Sequence, residues 1–173
     1  MPITRTGNPT KILLGYGIFK IGDVPIGLTR GGGQFTVERE YRTIVADGDR
    51  GEVEGRIQLD SSKPKLKINA LEIISENLPK LYPAIKATTA DTKTIVTGTG
   101  KIEATDYQPV VSFVGETKSG KQVVIKVENA INLDNIDWTL AEKDEVVAAI
   151  TYLGTYQEDS PPEYEPWNIE YVN

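Results

Sequence analysis

The sequence predicts a mainly β protein: a sandwich or barrel with one short flanking α-helix and a long β-hairpin loop. Three observations predict it. Apolar residues recur at every second position over most of the chain, which marks half-buried strands. A single stretch, 75–85, carries apolar residues at three- and four-residue spacing instead. Gly, Pro, Asn and Asp punctuate the alternating runs at short intervals, and the runs number about eight to ten.

A chain of 173 residues is expected to form one domain with a proper core. No apolar run reaches the roughly 18 residues of a membrane span, and the N-terminus lacks a signal-peptide apolar region, so the protein is expected to fold in a cytoplasm. There is no Cys and no His. Disulfides, thiolate chemistry and cysteine-built zinc sites are excluded, together with Ser/His/Asp and Cys/His catalysis. Any enzyme chemistry would rest on carboxylates, Lys or Tyr. The net charge of −6 argues against a general nucleic-acid binder, which needs clustered Lys and Arg.

Taken in order, residues 1–10 read as a polar arm with two prolines. Residues 11–22 read as a strand or two short extended pieces, interrupted by Gly15 and Gly17. Gly22-Asp23 turns the chain, and 24–30 is a second short strand with Pro25 at its start or edge. Gly31-Gly32-Gly33 lacks the Gly-Lys-Ser/Thr of a phosphate cradle and reads as a bulged entry to the next strand.

The stretch 34–60, QFTVEREYRTIVADGDRGEVEGRIQLD, is the most strongly patterned. Phe35, Val37 and Tyr41 share one face, and Glu38, Glu40 and Arg42 the other. Val53, Ile57 and Leu59 likewise oppose Glu52, Glu54, Arg56 and Gln58. With Asp-Gly-Asp-Arg-Gly between them, the two runs predict an antiparallel hairpin with an apolar and a charged face. Residues 63–74 read as a third strand, its Lys65 and Lys67 suited to pair with the Glu face of a neighbour.

In 75–85, Leu78, Leu81, Tyr82 and Ile85 form the apolar stripe of a short helix that covers the sheet, with Pro79 in its first turn and Pro83 ending it early. Residues 86–91 read as a polar loop and 93–104 as an extended piece. Residues 107–117 and 121–131 form a local hairpin around Lys118-Ser119-Gly120. Trp138 docks onto the core from a turn-rich link, and 141–145 forms a helical turn or a polar turn. Residues 146–156 are apolar on both faces, as a central or covered strand requires. The acidic, proline-rich tail 157–173 retains Tyr164, Trp167 and Tyr171. Disordered tails lack aromatics, so this one is expected to dock, on its own domain or on a neighbour. The organisation is thus an arm (1–10), a β domain (11–156) and a tail (157–173).

Candidate chemistry is weak. Asp47, Asp49 and Glu52 fall close together but lack the spacing of a calcium loop. Glu38, Glu40, Glu52 and Glu54 could contain a glycosidase pair, yet the interleaved Arg39, Arg42, Arg50 and Arg56 favour ion pairing over a raised carboxyl pKa. Gly98-Thr99-Gly100-Lys101 does not continue as a P-loop. No catalytic residue, metal or cofactor is expected.

The ordered segments GYGIFKIGDVPIGLTRGGGQFTVEREYRTIVADGDRGEVEGR, KPKLKINALEI, ENLPKLYPAI and KDEVVAAITYLGTYQEDSPPEYEPWNIEY resemble the major tail protein, the tail tube subunit, of long-tailed bacteriophages (siphophages). The resemblance covers most of the chain and is weakest over 86–106. It implies a tail-tube β-sandwich or barrel that self-assembles into hexameric rings. The rings stack around a tape-measure protein, between terminator and tail-tip or baseplate proteins, into the virion tail. DNA later passes through without specific binding. It also implies a continuous inner barrel with polar faces lining the lumen, a long loop reaching the adjacent ring, and assembly in the host bacterial cytoplasm. On that basis Glu38, Glu40, Arg42, Glu52, Glu54 and Arg56 are placed toward the lumen, and Asp47, Asp49 and Arg50 at an inter-ring tip. Phe35, Val37, Tyr41, Val53, Ile57 and Leu59 are placed on the subunit core, with Arg39 pairing at a subunit boundary. The lumen is expected to be acidic, so that phosphate is repelled. The competing expectations are a monomeric β-sandwich binding module, for carbohydrate or a protein ligand, and a carboxylate-based hydrolase.

Overall fold

In the computed structural model, which describes residues 7–172, the alternating runs become ten strands. They are β1 (Leu13–Ile21), β2 (Val24–Pro25), β3 (Thr29–Thr43), β4 (Ile57–Ala70), β5 (Ile85–Ala90), β6 (Lys93–Gly98), β7 (Gln108–Thr117), β8 (Gln122–Asn132), β9 (Ala148–Gly154) and β10 (Trp167–Tyr171). One α-helix, α1 (Leu78–Leu81), interrupts them. Eight strands form one antiparallel sheet in the order β2-β1-β7-β8-β9-β4-β3, with β10 also paired to β8. β5 and β6 pair only with each other.

The sheet folds onto itself at β8. β10 pairs with Val123 to Val127, and β9 pairs with Ala130 to Asn132. Between them Asn129 has φ +46, and the inward-facing set changes from Val123 and Val127 to Ala130 and Asn132. This one-residue slip bends the strand. The halves enclose a common core: Phe19, Ile21, Val111 and Val127 on one side, Leu66, Ile68, Ile150 and Tyr152 on the other. A Cβ on Gly33 would lie 2.5 Å from the Phe19 ring, so β3 closes against β1 from the far end of the strand path. The result is sandwich-like, as the alternation predicts. Each fully buried Leu, Ile or Val contributes about 1.5–3 kcal/mol through its removal from water.

β9 lies between β8 and β4, which explains its apolar residues on both faces. The β7–β8 hairpin and the bulged entry to β3, between Thr29 and Gly33, appear as expected. Trp138 packs on the core and its Nε1 donates to Tyr82 Oη at 3.3 Å.

Several expectations need correction. The second run of the hairpin and the separate strand at 63–74 are one strand, β4. The strand expected at 24–30 shrinks to β2, and 86–91, expected as a loop, is largely β5. Its KATTA sequence has no apolar alternation, and pairing with β6 makes it a strand. The helix is a single turn because a residue before proline avoids the helical region. Tyr82 is extended at φ −127, ψ 134, and Leu81 and Tyr82 are buried. Two sheet side chains satisfy its last carbonyls: Asn132 Nδ2 donates to Leu81 O at 2.8 Å, and Tyr152 Oη donates to Lys80 O at 3.0 Å.

Of the expected N-terminal arm, residues 1–6 lie outside the described residues. Pro9–Lys11 form a 3-10 turn that Asn8 caps by accepting from Thr10 N at 3.0 Å. The tail docks on its own domain: Trp167 to Tyr171 add β10 to β8. No helix among the described residues is long and apolar enough to cross a membrane.

Candidate assembly surface

The hairpin β3–β4 is held by a continuous ladder from Gly33↔Ile68 to Thr43↔Ile57, broken by one bulge. Glu40 pairs with Ser61 and Tyr41 with Leu59, which leaves Asp60 as the extra residue. The bulge keeps one face continuous, because it moves the inward positions of β4 from even numbers to odd. That face carries Phe35 with Leu66, Val37 with Pro64, Arg39 with Ser62, Tyr41 with Leu59, and Thr43 with Ile57. The predicted apolar face of Phe35, Val37, Tyr41, Ile57 and Leu59 is therefore present as a face. Val53 is not part of it, since it lies in the loop at 44–56.

Only the near half of that face meets the core. Phe35 is half-buried against the core and beside Trp167, ring centroids 5.7 Å apart, and Val37 is half-buried. Beyond Arg39 the face leaves the body of the protein. Tyr41 is 62% exposed and Val45 76%, and Ile44, Ile57 and Leu59 are exposed with them. The expectation that Tyr41, Ile57 and Leu59 pack inside the subunit is thus corrected. The hairpin is longer than the sheet beneath it.

The opposite face is a ladder of opposite charges. Glu38 lies across from Lys63, Thr36 from Lys65 and Gln34 from Lys67. Lys65 Nζ contacts Glu38 at 2.7 Å, Lys63 Nζ contacts Glu40 at 3.8 Å, and Ser61 Oγ donates to Glu40 at 2.8 Å. Arg42 Nε reaches the bulged Asp60 at 3.1 Å, and its Nη2 donates to Gln58 at 3.0 Å. The lysines of β4 meet the glutamates of β3, as their alternation predicts. Glu38, Glu40 and Arg42 share this face, but it is mixed in charge, contrary to the expected acidic wall.

The remaining candidates lie in the loop. Glu52 and Glu54 stand exposed there and not on a strand. Arg56 precedes β4 and donates to Asp49 at 2.7 Å. Asp49 Oδ2 also accepts from Ala46 N at 2.7 Å, and Ile44 N donates to Arg56 O at 2.9 Å. Asp49 is therefore a staple that shapes the loop, whereas Asp47 and Arg50 remain exposed at its tip. This spends one of the carboxylates that gave the stretch its faint likeness to a calcium loop.

At the hairpin's base the tail is clamped from the core face. Arg39 Nη2 bonds Glu165 at 3.1 Å and its guanidinium lies over the Trp167 ring, while Trp167 Nε1 donates to Glu165. Burial pushes the Glu165 carboxyl up, but the bonds from Trp167 and Arg39 outweigh it and hold it below its ordinary range. Arg39 thus pairs within its own chain. Tyr164 donates to Glu128, and burial followed by that bond pushes its phenol up to about 12. An open groove of about 640 Å³ runs beside this clamp, lined by Leu59, Ser62, Tyr156, Pro162, Tyr164 and Glu165 among others.

A second apolar surface lies on the outer face of the β1–β7–β8 sheet. Ile18, Val114 and Val124 form a row across three strands, with Tyr16 exposed beside it and bonded to Glu116. No protein-family profile and no curated protein matches the chain.

Sequence reading missed the exposed half of the hairpin. The signal was present: apolar positions switch from odd (Ile57, Leu59) to even (Leu66, Ile68, Ala70) across Asp60-Ser61-Ser62. Such a switch within one unbroken extended run marks a bulge, and hence a strand too long for one core.

Proposed function

We propose that this protein is a structural, non-catalytic subunit that assembles into the tail tube of a long-tailed bacteriophage. In this reading hexameric rings stack around a tape-measure protein, bounded by terminator and tail-tip proteins, and DNA later passes through the lumen. The observation that carries it is the far half of the β3–β4 hairpin. A lone soluble domain has no use for a strand pair whose apolar face, Tyr41, Ile57 and Leu59, extends past its own core into water and leads into a loop with Ile44 and Val45 exposed. A neighbouring copy gives that face a partner. The row Ile18, Val114 and Val124 offers a different apolar surface for the same purpose, and association between unlike surfaces builds rings and open stacks.

The charged face fits a wetted channel wall. Glu38, Glu40 and Arg42 would face the lumen with Lys63 and Lys65. The ion-paired ladder leaves little net attraction for phosphate, so DNA could slide without adhering. Assembly would take place in the host cytoplasm and the product would reside in the virion tail.

Negative-stain electron microscopy of concentrated protein tests the proposal. Rings or tubes about 10 nm across are expected from a ring of domains of this size. Protein that remains monomeric when concentrated and seeded with preformed assemblies would overturn it. A monomer retained on a carbohydrate or peptide column would favour the binding module instead.

A further inference from the structure

All three phenylalanines of the sequence, Phe19, Phe35 and Phe113, line one cavity. Its volume is about 220 Å³, and Leu14, Leu66 and Ile125 stand in its walls with them. Phe19, Phe113 and Ile125 form a row across β1, β7 and β8. Phe35 and Leu66, paired across β3 and β4, line the cavity from the other half of the folded sheet.

Glycines shape these walls. A Cβ on Gly17 would lie 2.6 Å from the Phe113 ring, and one on Gly115 would lie 2.8 Å from it. A Cβ on Gly33 would lie 2.5 Å from the Phe19 ring. The two rings therefore rest against bare backbone, which leaves the space between the sheet halves open. Their centroids are 5.0 Å apart and their planes are tilted by 49°. The mouth lies at the start of β1. The β1–β7 register shifts between Leu13 and Gly17, a Cβ on Gly15 would meet nothing within 4 Å, and Leu14 is half-buried. β1 and β3 both contribute to the cavity and are not paired with each other among the described residues.

No charged residue lines the cavity. Gln34 is its one polar residue, and it stands on the opposite face of β3, across from Lys67. An apolar cavity of about 150 Å³ with walls of Leu, Ile and Phe stays dry and takes up benzene. A charged guest would lose its hydration here and gain no partner. An aromatic ring finds the offset and tilted contacts that aromatic pairs prefer.

The geometry points to a binding site for one small uncharged aromatic molecule, of one ring or two fused rings. The site is complete within a single copy, so the inference goes beyond the tube reading and does not depend on it. Its walls are formed in advance, which lowers the cost of binding.

Toluene is the probe, and benzoate, with a carboxylate in place of the methyl group, is its control. Calorimetry on the full chain should show a single toluene bound with a Kd of about 0.1–1 mM, and benzoate should bind at least about tenfold more weakly. Toluene at about five times Kd should raise Tm by about 2–4 °C. The methyl NMR signals of Leu14, Leu66 and Ile125 should shift on titration. Leu14→Trp should plug the mouth and abolish binding. Ile95→Trp, on the separate β5–β6 sheet, should leave it unchanged, with circular dichroism to check the folding of both. If Leu14→Trp fails to fold, the methyl shifts of the parent chain decide alone. The site is overturned if toluene binding does not saturate, if benzoate binds equally well, or if the shifts centre on the outer row Ile18, Val114 and Val124. The tube reading is judged separately, by whether the chain assembles.

Discussion

Arg39 lies over Trp167, its guanidinium carbon 5.7 Å from the ring centroid. One residue of the long hairpin thereby holds the strand that ends the chain. The same Arg39 bonds Glu165, which also accepts from Trp167 Nε1. Three residues thus join β3 to the proline-rich segment that leads into β10, and the core face of the hairpin is divided at this point. Phe35 and Val37 lie on the covered side, Tyr41 and Leu59 on the open side.

The clamp should be sensitive to acid. The Glu165 carboxyl is held below its ordinary value of 4.5 despite the opposing effect of burial. A depressed folded value means that its stabilisation is complete above the unfolded value and is lost as pH falls through the folded one. The tail should therefore stay docked from neutrality down to the ordinary carboxyl value of 4.5 and loosen only as the pH falls below it. Trp167 fluorescence and hydrogen exchange at the β10 amides would report this. Glu165→Gln should flatten the transition and Arg39→Ala should raise β10 exchange at neutral pH, with the β4 amides unchanged in both.

Asn132 is the second point where distant elements are tied. It is buried, donates to Leu81 O at 2.8 Å and accepts from Asp134 N at 2.8 Å. Asn132→Ala leaves a helix-terminal carbonyl without a partner and should cost about 1–3 kcal/mol. Tyr152→Phe removes only the bond to Lys80 O and should cost about 0.5–1.5 kcal/mol. Urea unfolding should order the two in that sense.

These two ties show where the sequence was readable. The β7–β8 hairpin, the central position of β9 and the inward Trp138 follow from alternation and composition, because local pattern and tertiary environment agree there. The polar face with Glu38, Glu40 and Arg42 was readable for the same reason. Glu52, Glu54 and Arg56 alternate too, but the stretch is a loop shaped by Asp49, and alternation cannot tell an exposed strand from an exposed loop. β5 escaped notice because Thr88 and Thr89 become strand only through pairing with Ile95 and Thr94. The bulge at Asp60 was concealed because each side of it reads as a separate, well-formed strand.

Gly33 is where β3 passes closest to β1. Its φ is not in the left-handed region, so alanine meets no backbone penalty there. A Cβ would instead lie 2.4 Å from Lys67 O and 2.5 Å from the Phe19 ring. The carbonyl cannot yield without disturbing the β3–β4 pairing. Gly33→Ala should destabilise by about 1–3 kcal/mol through overpacking. Gly15→Ala has open space around its Cβ and should stay within about 0.5 kcal/mol of the parent. Thermal unfolding of the pair should separate them by several degrees, and equal melting would show that β3 and β1 can part without cost.

Leu59 offers the sharpest separation between folding and assembly. It lies opposite Tyr41, beyond the clamp, and is exposed. A charge there touches no core residue, so Leu59→Asp should change monomer stability by no more than about 0.5 kcal/mol. In a tube the same position would lie against a neighbour, where a buried unpaired carboxylate is costly. Sedimentation of concentrated protein should then show the variant as monomer under conditions in which the parent forms rings or tubes. Leu66→Asp, three pairs farther along the same face and 1% exposed, should fail to fold at all. A Leu59→Asp variant that assembles like the parent would remove this flank from the contact and leave the hairpin's exposed face without the role proposed for it.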